Sequence, residues 1–385
     1  MNNNRSTITP SAKMVGNRPV LFETDEMLSL AFSMASDGKA SVANAWDRIL
    51  KSADTATTAN IYDGNSATKY RLTACPDMIK ARYLALVYLG TKEKRYFDGA
   101  MSILLAYAKS SPMLGTDETL DYSSPTIDGQ SDIGLNIALP LTTFCEVYSL
   151  LYPYLDASDK TAMQKWIRIG ADLVKKGHEY WIANDYYDQQ YGNNHLSCHL
   201  MGIIAAAYAL EDDDLLSYAL DVEKNPACLA EMIDRAILME GDEVWYRDID
   251  SDFVPGEIYD RYRVVQNNGF AYAIYHLKFL TNCAAMLKNN GVDYFSYVGK
   301  NGENLRLPYL AYAEYLLKND VNAGVGHYKG SPMSRSDTLF SYHIADFYYN
   351  DETIRNVIDT LVDEGEISWD KETFGHSAAF IYSMP

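Results

Sequence analysis

Residues 189–210 read QQYGNNHLSCHLMGIIAAAYAL. From Leu196 onward the run predicts one of the most apolar helices of the chain, long enough to be a core element. It opens with Gly192-Asn193-Asn194-His195. Amides and an imidazole are costly at the entrance to a buried element unless they are paired or used. One reading is a helix cap, because an Asn side chain satisfies N–H groups that a helix start leaves open. The other is chemical: Asn194 donates its amide to a substrate oxyanion, and His195, whose ordinary pKa lies nearest neutrality, handles a proton.

Outward from this stretch, the chain is a series of apolar-periodic segments of helical length. They fall at 25–36, 40–52, 76–90, 93–110, 133–153, 159–176, 194–210, 212–222, 226–238, 267–289, 305–317, 336–348, 351–363 and 373–383. Ser158 is a plausible cap for the helix that Gly177 should end. Strand alternation is scarce, and GEISWD (365–370) is the best short candidate. Helices arrive in pairs, without the sharp repeat that names a solenoid. Antiparallel pairs either stack linearly or close into a ring, and a ring brings the starts of all inner helices to one mouth. That geometry accounts for an unusual helix start. The expected fold is all-α, an incomplete (α/α) toroid, with residues 1–20 a polar leader and 21–385 one domain. Two long irregular loops, 111–132 and 239–266, are candidates for function on length alone.

Of the 385 residues, 48% are apolar, enough for a sizeable core. Lys+Arg 33 against Asp+Glu 52 give a net charge of −19, which argues against nucleic acid or an anionic membrane as a general partner. An anionic substrate then needs a local cationic cluster. Tyrosine is heavily used, with 31 residues, and suits either sugar rings or helix interfaces. Five scattered cysteines form no CxxC, so neither a disulfide framework nor a zinc ribbon is expected. No uninterrupted apolar run reaches membrane-spanning length. The polar start MNNNRSTITPSAK fits either a secreted or periplasmic mature form or a cytoplasmic protein.

The second group is GEIYDRYRVVQNNGFAYAIYHLKFL, residues 256–280. Arg261 and Arg263 supply fixed cations; Tyr259, Tyr262, Tyr272 and Tyr275 supply phenols. A surface loop with Arg–Asp pairs is the plain reading. In a ring, however, this helix start lies beside the one at 194. Together the residue types fit β-elimination from a uronic-acid polymer. The proton removed is alpha to a carboxylate, and its loss builds negative charge on that group. An Asn amide and an Arg guanidinium stabilise the enolate-like state, a Tyr or His takes the proton, and a phenol protonates the departing oxygen. No metal or organic cofactor is needed.

YGNNHLSCHLMGIIAAAYAL resembles the Asn-Asn-His helix start of the alginate lyases and related toroidal uronate lyases, and YAIYHL (272–277) resembles the segment carrying their catalytic Tyr. The resemblance implies that Asn194 and Arg263 neutralise the carboxyl while His195 and Tyr272 share the proton transfers. Tyr259 is the second choice of phenol, since the intervening VVQNNGFA lacks the His-rich run common in that family. The same reading makes Asn193, Arg261, Tyr262 and Gln266 candidate substrate contacts. Tyr191, Arg71 and Gln130 join them as residues able to reach a cleft. The expected partner is an anionic polysaccharide, alginate or a related uronan. Three other readings stand beside it: a metal on the His195/His199 pair, an inverting glycosidase using carboxylates of GDEVWYRDIDSDF (241–253), and a non-catalytic carbohydrate-binding helical repeat.

Overall fold

Inner helices packed edge to edge need small or apolar faces on both sides, and several segments of this chain have them. A computed structural model describes residues 10–56, 59–62, 67–109, 132–184, 192–244, 253–263, 269–318 and 335–383. Its helices are α1 (Asp25–Ser36), α2 (Ala40–Thr55), α3 (Ala67–Thr91), α4 (Lys94–Lys109) and α5 (Ile133–Leu151). Next come α6 (Ala157–Asn184), α7 (Asn194–Leu210), α8 (Asp213–Leu220), α9 (Leu229–Ala236) and α10 (Asp260–Arg263). The last are α11 (Gly269–Asn289), α12 (Arg306–Lys318), α13 (Ser336–Tyr349), α14 (Glu352–Asp363) and α15 (Ala378–Ile381). Among the described residues the only β pairing is three isolated bridges.

Helices α3, α5, α7, α11 and α13 pack in that order, and α15, α2 and α1 span the gap back to α3. An outer layer of α4, α6, α8, α9, α12 and α14 covers them. The fold is the helical toroid expected from the sequence. Its inner helices run parallel: Arg82 on α3 meets Glu146 on α5 at similar depth, and Cys198 on α7 reaches the Leu135 carbonyl of α5. Every residue of α5 is buried. In α7 the exceptions are His195 in the first turn and Leu210 at the end.

The segment Ile133–Tyr154, α5 with a following 3-10 turn, is long and apolar enough to cross a membrane, and its apolar window is wholly packed inside the protein. It therefore serves as the core helix, with Glu146 paired to Arg82 through one carboxylate oxygen. All five cysteines are buried and unbridged.

Four local expectations change. Helix α3 begins at Ala67 and carries Pro76 inside it; the residue whose carbonyl loses its amide partner to that proline, Leu72, is 63% exposed. Helix α6 is capped by Asp156, whose Oδ1 accepts the Asp159 N–H at 2.8 Å, and it runs through Gly177 to Asn184. Burial of His178 and Trp181 outweighs the ~1 kcal/mol that a mid-helix glycine costs. GEISWD is not a strand; the Asp370 carboxylate accepts the N–H groups of Glu372, Thr373 and Phe374 and bends the chain into a turn. Part of the supposed leader is packed down: Ala12 N–H donates to Asp213, and buried Arg18 donates to the Glu23 carbonyl and to Ser149.

Arg82 is among the largest fully buried side chains described, set between Glu23 at 2.5 Å and Glu146, with its guanidinium 4.3 Å from the Phe374 ring centroid. It ties α3, α5, the N-terminal segment and the C-terminal segment into one body. Burial pushes the Glu146 carboxyl well above its usual value, against the pull of Arg82. Arg82→Met should cost about 3–5 kcal/mol, because buried carboxylates lose their partner. Denaturant unfolding checks this, and adding Glu23→Gln and Glu146→Gln should recover much of the loss.

Candidate active site

A helix start leaves N–H groups without intrahelical partners, and here the starts of α5 and α7 solve that problem at one mouth. Asn193 caps α7, its Oδ1 accepting the N–H groups of His195 at 3.0 Å and Leu196 at 3.1 Å. The Asn194 N–H donates to Asp260 Oδ2 at 2.6 Å, which joins the start of α7 to α10. Asp132 caps α5, its Oδ1 accepting the Leu135 N–H at 3.1 Å.

Asp132 does more than cap. Its Oδ2 lies 2.6 Å from His195 Nδ1, and both its oxygens lie 2.9 Å from His199 Nε2. Burial by itself would raise this carboxyl; the neighbouring His199 charge and the hydrogen bonds from His195 and His199 outweigh it and hold Asp132 well below the usual carboxylate range. A Cβ on Gly134 would stand 2.5 Å from His199 Nε2, so the glycine is what admits His199 to this position. His195 stacks on Trp181 of α6, with centroids 4.3 Å apart and planes 19° apart. Behind it, His199 meets the ring edge of His178, whose pKa burial lowers to about 3. Of the trio, His195 alone reaches the surface, with 17% of its side chain exposed.

On the neighbouring side, Tyr272 is half-buried in the first turn of α11. A Cβ on Gly269 would sit 2.4 Å from the Arg261 carbonyl, so only glycine lets α11 begin hard against α10. Beneath Asp260, His276 Nδ1 lies 3.3 Å from its Oδ2, both groups fully buried. Deeper, Lys278 donates to Asp370 at 2.7 Å and Glu372 at 3.2 Å, and Glu372 also meets Arg71 of α3 at 3.2 Å. These ions form the floor below the mouth.

The structure thus brings Asn194, His195 and Tyr272 to helix starts on adjacent inner helices. Arg71 sits in the first turns of α3, 26% exposed and paired with Glu372. Arg261 is buried in an ion pair with Glu257, four residues earlier in the chain. Asn193 is likewise spent on capping. Tyr259 is 8% exposed and packs with Leu238, Val244 and Phe253 in a small satellite cluster, away from the main core. The side chains of Arg263 and Tyr262, and the whole of Gln266, Tyr191 and Gln130, lie outside the described residues, as do 245–252 of the acidic loop.

Sequence reasoning missed Asp132, Trp181 and Asp260. Asp132 had a signal, an Asp directly before an apolar helix at the end of a long loop. Trp181 was hidden by the expected stop at Gly177. Asp260 carries no local signal, because its partner is 66 residues away.

By structure, the chain is similar to an alginate lyase from Bacteroides ovatus (14% identity, TM-score 0.61, covering 96% of this chain and 100% of that one). It is similar also to alginate lyase A1-III from Sphingomonas species A1 (14% identity, TM-score 0.61, covering 97% and 100%). A histidine-to-alanine variant of A1-III complexed with tetrasaccharide matches at 15% identity and TM-score 0.61, covering 93% and 94%. At these identities the likeness establishes the fold. No curated protein matches the chain by sequence. Residues 39–319, however, match the alginate lyase family across most of the chain. The protein that places Asn194, His195 and Tyr272 at the mouth of this toroid belongs to that family and is a polysaccharide lyase.

Proposed function

We propose that the chain cleaves alginate by β-elimination where the starts of α7, α10 and α11 meet. The observation that supports this most is His195, the one exposed side chain at the start of an otherwise buried helix, with Asn194 before it and Tyr272 on the next inner helix. The Asn194 amide and the Arg263 guanidinium neutralise the uronate carboxyl as charge builds on it. His195 and Tyr272 share the two proton transfers, one from C5 and one to the departing glycosidic oxygen. With a net charge of −19, the protein repels a polyanion in general, so Arg263 and Arg71 must supply attraction locally. A tetrasaccharide bound to a variant of A1-III supports an oligosaccharide in this mouth.

The test is absorbance. Elimination yields a conjugated unsaturated uronate that absorbs in the ultraviolet; hydrolysis gives fragments that do not absorb, and a binding protein gives no fragments. A screen over alginate, polymannuronate, polyguluronate and glucuronan should show absorbance with at least one of the alginate-derived polymers. Exhaustive EDTA treatment should leave the rate unchanged; loss restored by one specific metal would return the His195/His199 pair to consideration.

Three variants divide the roles. Asn194→Ala should lower kcat on the order of 10²–10³-fold, more than it raises KM, as for a lost oxyanion donor. The N-cap is Asn193, so the melting temperature should barely move. Tyr272→Phe keeps the ring, and should keep the fold while turnover on polymer collapses at saturating substrate. Tyr259→Phe should do far less, its ring being packed in the satellite cluster. A silent Tyr272→Phe beside an inactive Tyr259→Phe would reverse that assignment.

A further inference from the structure

Asp132 takes no part in the steps above, yet it holds the Leu135 N–H, His195 and His199 together. An ionised carboxylate only accepts hydrogen bonds, so a ring nitrogen 2.6 Å from it must carry the proton. For His195 that atom is Nδ1. For His199 it is Nε2, which lies 2.9 Å from both oxygens. We propose that Asp132 is a positioning residue: it fixes the His195 proton on Nδ1, so that Nε2 carries the lone pair presented to substrate, with His199 as the buried second donor that holds the carboxylate in place. This rests on the lyase reading of the mouth.

Three observations lock the arrangement. The carboxylate is 1% exposed, so water does not compete for it. Its backbone sits at φ 51°, and its Oδ1 is tied to the Leu135 N–H, so the group cannot swing away without uncapping α5. Trp181 lies flat against the His195 ring and resists its rotation about χ2. Among the described residues, the other titratable groups around the trio include His178 against His199, Cys198 near Asp132, and Asp260 at the start of α7. The chemical consequence is specific. With the other tautomer His195 would turn an N–H toward a substrate C–H, and could not accept its proton. With Nδ1 protonated it is a preset acceptor, and the imidazolium formed on accepting the C5 proton is stabilised by the carboxylate beside it. Tyr272 is then left to donate to the glycosidic oxygen.

The test uses Asp132→Asn in the full chain. Asn caps helices as well as Asp and tolerates a left-handed backbone, so α5 should keep its start; the melting temperature should fall, because the carboxylate's favourable contacts with His195 and His199 are lost, and activity is compared well below it. An amide is neutral and presents a donor as well as an acceptor, so it no longer dictates the tautomer. We expect kcat to fall at least ~100-fold with KM changed less than about threefold. Nitrogen-15 NMR of histidine-labelled protein, assigned with His195→Gln, should show His195 protonated on Nδ1 in the parent and a mixture in Asp132→Asn. His199→Gln keeps an N–H donor and should retain most of the activity, whereas His199→Leu should not. A parent His195 protonated on Nε2, or an Asp132→Asn enzyme with kcat within a few-fold of the parent, overturns the proposal. Equal behaviour of the two His199 variants removes His199 from it. If the parent yields no absorbing product from any uronan, the lyase reading falls instead, and the tautomer measurement still decides the role of Asp132.

Discussion

Every α-helix begins with N–H groups that its own turns cannot satisfy, and a ring of parallel inner helices gathers those beginnings at one end. Here Asp132, Asn193 and Asp260 meet that demand with side-chain oxygens. Each cap is worth about 1 kcal/mol to its helix. Their larger effect is geometric: the same oxygens that end the helices fix where Asn194, His195 and the α10–α11 corner stand. The mouth is polar because the helices must start somewhere, and an active site is the use made of that polarity.

The body beneath is held by buried ions. Arg82 joins α3 and α5 to both terminal segments. Lys278, fixed between Asp370 and Glu372, joins α11 to the C-terminal turn, and Glu372 passes the link to Arg71 on α3. Burial alone would lower the Lys278 pKa; Asp370 and Glu372 outweigh it and hold the ammonium above its ordinary value. Buried pairs of this kind add little net stability over apolar packing, but breaking them is costly, so they specify one arrangement of the ring. The turn at 370–374 spans the ring because its Asp370 serves both Lys278 and three backbone N–H groups.

How far the sequence could be read depended on how local each signal was. The helices were legible because apolar periodicity is a property of neighbours: α1, α7, α13 and α14 begin and end within about a residue of where periodicity and caps place them. The extension of α6 was not legible, because Gly177 reads as a stop and only the packing of His178 and Trp181 overrides it. Asn194, His195 and Tyr272 stood out as polar or phenolic groups opening apolar helices. Arg261 and Tyr259 looked equally suited in the sequence; the structure pairs Arg261 with Glu257 and packs Tyr259 with Leu238, Val244 and Phe253.

By itself, then, the sequence determined the all-α class, the order of the helices and the chemical kit of amide, imidazole, guanidinium and phenol, since each is written in residues close in the chain. Only the tertiary structure brought Asn194, His195 and Tyr272 to neighbouring helix starts, and set Asp132, 63 residues before His195, against its ring. The reason is physical: a hydrogen bond between side chains on different helices depends on how the helices pack, and no periodicity within either helix records it.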